Sequence, residues 1–255
     1  MKKVYAIIMV FALCSLWSGV CLSQDKDPGL AGYWKFDEGK GEQTRDSSGN
    51  KNDGEVLAEW VKGSFGSCLF FDGQTNVIVP GSASLEFGKG DFTIQAWLAP
   101  KANGADLDQQ TRRIMGKTGY PEKWWVVDLV GEGGVEMEMA YKEGDQYIGG
   151  STSSDGKLPL NAWTLMTIAV DRKNFKVSYY FNGKLDSAKD LAKNYTLDMD
   201  VDGQQYVIGG DWQPFIGLID EIKFYKRALT PAEIKAYYDK EKGSRTSVKY
   251  EGSED

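Results

Sequence analysis

Residues 215–238 constrain the fold more than any other stretch of this chain. They read Phe-Ile-Gly-Leu-Ile-Asp-Glu-Ile-Lys-Phe-Tyr, followed by Lys-Arg-Ala-Leu-Thr-Pro-Ala-Glu-Ile-Lys-Ala-Tyr-Tyr. The first half has the β-branched and aromatic content of a strand, and simple alternation puts Leu218, Asp220, Ile222 and Phe224 on one pleat face. The second half opens a helix. Thr230 is a capping residue, Pro231 suits the first helical position, and Glu233 completes a Thr-x-x-Glu capping box. Helical periodicity extends over Pro231–Lys240 and is convincing nowhere else.

Upstream, short apolar and aromatic runs alternate with Gly, Asn and Asp. Strands are expected at Gly32–Asp37, Ser67–Phe71, Asn76–Val79, Phe92–Leu98, Arg113–Gly116, Trp124–Val130, Val135–Tyr141 and Trp163–Val170. Lys176–Phe181, Lys184–Ser187, Tyr206–Gly209 and Gly217–Tyr225 complete the set. Asn182-Gly183 predicts a tight hairpin with a primed turn. Asp53-Gly54, Asp72-Gly73, Asp155-Gly156 and Asp202-Gly203 mark further turns. Many short strands and almost no helix predict an all-β sandwich or barrel, and one domain suffices for a chain of 255 residues.

The ends are of a different character. Lys2 and Lys3 precede an apolar run from Val4 to Leu16, and Cys21-Leu22-Ser23 closes on small residues. This pattern predicts a secretory signal peptide over 1–23, too short to be a spanning helix, and so an exported protein of extracellular, periplasmic or cell-surface destination. The Lys-Lys start has a bacterial look. Acylation of Cys21 is the alternative; Ser18-Gly19-Val20 is a poor lipobox ahead of it. Residues 24–29 are a polar leader, and 243–255 are polar, lack a core pattern and are expected to be disordered. Two of the three cysteines would leave with the signal peptide. Cys68 remains in a strand-like run and is expected to be a buried, inert thiol.

The chain contains no histidine and carries a formal net charge of −7. Lack of histidine removes Ser-His-Asp and Cys-His catalysis, most zinc sites and the commonest general base. Acidity without a basic stripe argues against nucleic acid or an anionic membrane surface as partner, and is permissive for calcium.

Four segments, taken in order, resemble the laminin-G-like jelly rolls of the concanavalin A-like lectin/glucanase superfamily. The first is Gly32-Tyr-Trp-Lys-Phe-Asp-Glu-Gly39 with Asp46 to Gly54; the second runs from Leu69-Phe-Phe-Asp-Gly73 to Asp91 through Pro100. The third is the closing strand and helix. The fourth, Asn161 to Asp171 with Val177 to Gly183, looks like the family's central hairpin, with Thr164 and Leu165 standing where histidines commonly follow the Trp. The resemblance spans residues 30–242. It implies a two-sheet antiparallel jelly-roll sandwich with a short C-terminal helix. In such a fold the first and last strands lie side by side, so that Trp34 and Phe36 could pack near Ile222 and Phe224.

Several residues are candidates for function. Asp198-Met-Asp200-Val-Asp202-Gly203 places alternate carboxylates before a glycine turn, the oxygen chemistry that calcium takes; the alternative is a solvated acidic turn. An EF-hand is excluded because Gly209 occupies the place of the closing Glu. The resemblance implies a second ion site at Asp37, Asp46, Asn50 and Asp220, against which stands a set of hydrogen-bonded structural residues. A sugar site needs an aromatic face beside amide or carboxylate groups. Tyr120, Trp124, Trp125, Tyr141, Tyr147 and Trp212 are the available platforms, and Tyr120, Trp125, Tyr141 and Trp212 are taken as ligand contacts. Trp124 and Trp125 are sequence neighbours, so one belongs to the core and the other to a sheet face.

The superfamily's glycoside hydrolases carry a Glu-x-Asp-x-x-Glu strand. The nearest run, Glu136-Met-Glu138-Met-Ala-Tyr-Lys-Glu143, lacks the middle Asp and misplaces the third acid, and reads as a solvated strand face. Together, the signal pattern, the resemblance and the missing catalytic motifs predict an exported, non-catalytic module that binds a glycan or glycoprotein, with calcium fixing a loop. A structural or adhesion module that grips another protein is the alternative, and a hydrolase or lyase the third.

Overall fold

A computed structural model describes residues 27–244 except 64–65, 106, 109, 120–121, 192–197 and 202. The proposed signal peptide, most of the expected C-terminal tail, Tyr120 and Asp202 lie outside the described residues.

Two antiparallel sheets face each other across one core. In chain order the strands are β1 (Leu30–Trp34), β2 (Gln43–Thr44), β3 (Gly54–Val56), β4 (Glu59–Lys62), β5 (Ser67–Asp72), β6 (Val77–Val79), β7 (Phe92–Pro100) and β8 (Thr111–Gly119). They continue as β9 (Lys123–Val130), β10 (Gly134–Glu143), β11 (Gln146–Lys157), β12 (Thr164–Asp171), β13 (Lys176–Phe181), β14 (Lys184–Asp190), β15 (Tyr206–Ile208) and β16 (Ile216–Tyr225). Helix α1 follows at Pro231–Glu241. The first sheet is ordered β14-β13-β12-β7-β16-β5-β4, with β1 also paired to β16; the second is ordered β11-β10-β9-β8-β15-β6-β3-β2.

The expected closure of the chain's beginning on its end is present. Trp34 pairs with Ile222 across β1 and β16, and its ring meets Phe224 edge-on at 5.4 Å between centroids. Phe36 is fully buried but packs against Trp60, at 6.4 Å. The 182–183 hairpin turns as its sequence demands: Asn182 and Gly183 have φ of 51° and 74°, the pair of positive angles of a type I′ turn. Thr230 and Glu233 form the full capping box of α1. Cys68 is a buried free thiol.

Strand β16 corrects the simple alternation. Its pairing with β7 slips between Asp220 and Lys223, and Glu221 takes a φ of 55°. This β-bulge adds one residue to one side of the ladder and flips the pleat beyond it. Ile219, Ile222 and Phe224 therefore reach the core, whereas Leu218 packs with Cys68 and Ala99 on the opposite face. Asp220 follows Leu218 rather than Ile222: it pairs with Trp97, on the face turned away from the core.

That outward face of the first sheet is covered. Ile234 of α1 packs with Ala169, Tyr180, Tyr225 and Leu229, and Tyr238 lies 6.0 Å from Trp97 between ring centroids. Lys223 is held beneath the helix, its Nζ 4.4 Å from the Tyr33 ring and 3.8 Å from the Tyr237 ring. Glu221 accepts hydrogen bonds from both tyrosine hydroxyls. The outward face of the second sheet has no such cover among the described residues, and this exposes the site described next.

Candidate functional site

Strands β8 to β11 lie side by side, and their alternation decides which residues turn outward. On β9, Trp125, Val127 and Leu129 enter the core; on β10, Val135, Met137 and Met139 do. The outward rows are then Trp124, Val126 and Asp128 on β9, and Glu136, Glu138 and Ala140 on β10, paired Asp128–Glu136, Val126–Glu138 and Trp124–Ala140. Strand β11 continues them with Ser153, Ser151 and Gly149, and β8 places Arg113 opposite Asp128.

Arg113 is the anchor of this surface. Its Nε and Nη2 donate to the two oxygens of Asp128 at 3.0 and 3.3 Å, a bidentate pair. Its Nη1 lies 3.6 Å from Asp211, and its guanidinium sits 5.4 Å from the Trp212 ring centroid. The loop carrying Asp211 and Trp212 is clamped to β8 by the backbone: Arg113 N–H donates to Gln213 and Phe215 N–H donates to Arg113, at 2.8 and 3.1 Å. Gly210 is required here. Its φ is 86°, and a Cβ would stand 2.7 Å from the Arg113 carbonyl oxygen. Trp212, 46% exposed, is thus a fixed aromatic platform.

A groove of about 610 Å³ runs from this platform over Arg113, Asp128, Glu136 and Glu138, with Gln110, Thr111, Asp155 and Lys157 along its margins. A second hollow of about 360 Å³ adjoins it at Glu138, walled by Trp124 and Tyr147 and floored by Ala140, Gly149 and Gly150. Four residue steps of β9 separate Asp128 from Trp124, about 13 Å along the strand. The surface therefore presents aromatic rings at both ends and carboxylates between them.

Each acid has its own setting. Asp128 is committed to Arg113. Glu136 accepts from the Ser153 hydroxyl at 3.1 Å. Glu138 accepts from the Trp124 indole; partial burial, and next the neighbouring Asp128 and Glu136 carboxylates, raise its pKa above the usual glutamate value despite that bond. Hydroxyl-binding acids and amides beside apolar ring faces are what a sugar needs.

The sequence-derived candidates divide on this geometry. Trp212 lies in the groove. Trp125 does not: it is 1% exposed among Phe87, Tyr206 and Phe224, and its outward neighbour is Trp124. Tyr141 stands on the core-side pleat row of β10, beyond the end of the core, and so faces away from Glu136 and Glu138. Glu136 and Glu138, read from sequence as a plain solvated face, form the centre of the groove. Strand β11, with Gly-Gly-Ser-Thr-Ser-Ser, gave no strand signal, and Asp155-Gly156 lies within it rather than at a turn.

Four of the ion candidates, Asp46, Asn50, Asp198 and Asp200, make hydrogen bonds within the protein. Asp46 accepts from Tyr33, Ser48 and Asn52 backbone N–H groups at 3.0, 2.8 and 3.0 Å, and from the Ser48 and Asn52 side chains. Asn50 donates to the Ala31 carbonyl at 2.9 Å. Asp37 is exposed beside Gly66, and Asp220 lies on the outward face of the first sheet. Asp198 accepts from Asp200 N–H at 2.9 Å, while Asp200 accepts from Gly88 N–H at 2.5 Å. Lys123 donates to the Asp200 carbonyl at 2.8 Å, and the Arg172 guanidinium feels both carboxylates. Among the described residues, no three Asp, Glu or Cys side chains gather in metal-holding geometry.

The family profile of the concanavalin A-like lectin/glucanases superfamily matches residues 71–235. The chain belongs to this superfamily. No curated protein sequence matches the chain. Solved structures similar to this superfamily member include the binding domain of Paraclostridial Mosquitocidal Protein 1, at 19% identity and a TM-score of 0.66, covering 83% of this chain and 52% of that one. Domain 4 of AbnA, a GH43 extracellular arabinanase from Geobacillus stearothermophilus in complex with arabinotriose, matches at 21% identity and a TM-score of 0.62, over 81% of this chain and 97% of that one. The binding domain of botulinum neurotoxin DC in complex with rat synaptotagmin II matches at 12% identity and 0.61, over 83% and 51%. The chain thus spans about half the length of these toxin binding domains and nearly all of the arabinanase domain. At such identities the likeness is one of fold. No helix among the described residues is long and apolar enough to cross a membrane.

Proposed function

We propose that this protein is a non-catalytic glycan-binding module whose site is the groove on the second sheet, between Trp212 and the Trp124–Tyr147 corner. The observation that carries this reading is the fixed spacing of aromatic platforms around a row of oriented acids. Ring faces take the apolar faces of sugars, and Asp128, Glu136 and Glu138 accept from hydroxyls. The arabinanase domain, held with arabinotriose in its own structure, supports an oligosaccharide as the class of ligand. The neurotoxin domain in complex with synaptotagmin supports the second reading, a module that grips another protein.

The acids support recognition rather than hydrolysis. Asp128 is neutralised by Arg113, and the strand that bears Glu136 and Glu138 departs from the hydrolase pattern, with Glu138 in place of its middle Asp and Tyr141 in place of its third acid. Binding in this reading needs no calcium, because the described acids of the 198–202 segment are answered by backbone N–H groups and by Arg172.

A glycan array followed by calorimetry tests the proposal. Saturable oligosaccharide binding is expected, unchanged by EDTA, and Trp212→Ala and Trp124→Ala each weaken it about tenfold or more. Reducing-sugar release would restore the enzyme reading. Protein capture without any sugar binding would replace the proposal with the second reading, and loss of binding in EDTA would restore calcium.

A further inference from the structure

We propose that the Trp124–Tyr147 corner is a subsite for a primary ammonium group, so that the preferred ligand is a glycan carrying unacetylated amino sugars. This inference rests on the glycan reading of the groove and narrows it.

The corner is built for a cation. The Trp124 and Tyr147 rings stand 5.6 Å apart at 67°, two walls of an angle rather than a closed stack. Glu138 lies at the seam between the corner and the main groove and takes the Trp124 indole N–H, which fixes both groups. An ammonium placed there meets aromatic faces and a carboxylate together, the two kinds of partner that attract it most. The floor is bare by necessity at Gly149: its φ is 149°, and a Cβ would fall 2.2 Å from the Met139 carbonyl oxygen.

Charge in the adjoining groove points the same way. Five carboxylates line it against two cations, and with Asp155 paired to Lys189 beside the groove the excess negative charge falls on Glu136 and Glu138. Arg113 is already shared between Asp128 and Asp211, and Lys157 is paired with Glu132. Lys142, next outward on β10, pairs in register with Tyr147 but is outside the lining of the corner. A partly desolvated Glu138 beside Asp128 and Glu136 repels a uronic acid or a sulfated sugar, and an ammonium relieves that repulsion. An amino sugar offers the indole an apolar face and the carboxylate a charged donor in one ring.

The test compares tetramers of glucosamine, N-acetylglucosamine and glucose by calorimetry at about pH 6 and again at about pH 8, because the ring oxygens make an amino-sugar amine less basic than a lysine and its charge falls across that interval. The glucosamine tetramer is expected to bind about tenfold tighter than either neutral tetramer, with a preference that shrinks as salt rises. Glu138→Gln is expected to cost the amine tetramer about tenfold more than it costs the neutral ones, and Tyr147→Ala to act in the same direction. Equal or weaker binding of the amine tetramer by the unmodified protein overturns the inference, as does a preference that survives Glu138→Gln. Should none of the three tetramers bind while another oligosaccharide on the array does, the glycan reading stands and this inference falls; should no oligosaccharide bind at all, both fall. Neutral binding lost in Trp212→Ala, without any amine preference, leaves the groove and removes the subsite.

Discussion

The two sheets of this sandwich each have a face turned away from the shared core, and the two faces are treated differently. On the first sheet that face carries Trp97, Leu218, Tyr225 and Ala169, and helix α1 and the segment before it seal much of it. On the second, the same position in the architecture carries acids, serines and glycines, with Trp212 and Tyr147 about half exposed at the ends. A sheet needs one buried face to be stable, and burying the other is optional. The capped helix takes up the outward apolar surface of one sheet, and the other keeps its groove open to solvent.

The largest expected effect divides neighbouring tryptophans. Trp125→Ala should cost about 3–5 kcal/mol of stability, read as a lower denaturation midpoint, because it empties core volume. Trp124→Ala should leave the midpoint nearly unchanged and act on binding instead. Equal stability losses from the two would break the distinction between core and groove rows. Next, Ile234→Ala should cost about 2–4 kcal/mol by loosening α1 from the first sheet, without changing oligosaccharide affinity in the folded protein. A matching loss of affinity would mean that the two faces are coupled. Thr230→Ala should cost about 1 kcal/mol through loss of the helix cap, again with the groove untouched.

A last effect is electrostatic and appears only at alkaline pH. Burial pushes Lys223 down to about 8 from its ordinary 10.5, against the pull of Glu221, Glu241 and Asp27 and together with repulsion from Lys240. Below the lower value both folded and unfolded chains hold the proton. Between the two values the unfolded chain holds more of it, so this residue makes stability rise with pH across that window. Denaturation midpoints measured from pH 8 upward should show a shallower rise, or a steeper fall, in Lys223→Met than in the unmodified protein. Buried Tyr33 and Tyr225, whose pKa values are raised, oppose the trend once free tyrosine begins to ionise near pH 10. An identical pH profile for the two proteins would remove Lys223 from the account.

Much of the architecture was legible because it is written in local chemistry. The Asn182-Gly183 turn, the Thr230–Glu233 box and the Trp34–Phe224 closure each follow from residue types at fixed offsets. The groove was less legible, for three physical reasons. The bulge at Glu221 reverses a pleat without a glycine or proline to announce it, and so simple alternation puts Asp220 and Leu218 on the wrong face. Strand β11 forms from polar and small residues because β10 offers it a full edge to pair with. Trp124 and Trp125 have the same composition signal, and only the register with β8 and β10 decides which one is outward. Alternation does identify Glu136 and Glu138 as partners on one face; their conversion from a solvent-facing pair to a site depends on Arg113, Asp128 and Trp212 arriving from elsewhere.

The pairing of β1 with β16 has a mechanical consequence. Leu30 lies opposite Tyr225, so the chain enters the sandwich and leaves this strand pair at the same end. Once α1 has come away, tension between those two points is directed along the ladder bonds and opens them singly, like a zipper, rather than loading them all in shear. A module hung between two pulled attachments would yield at this seam at low force, ahead of the far sheet that carries the groove.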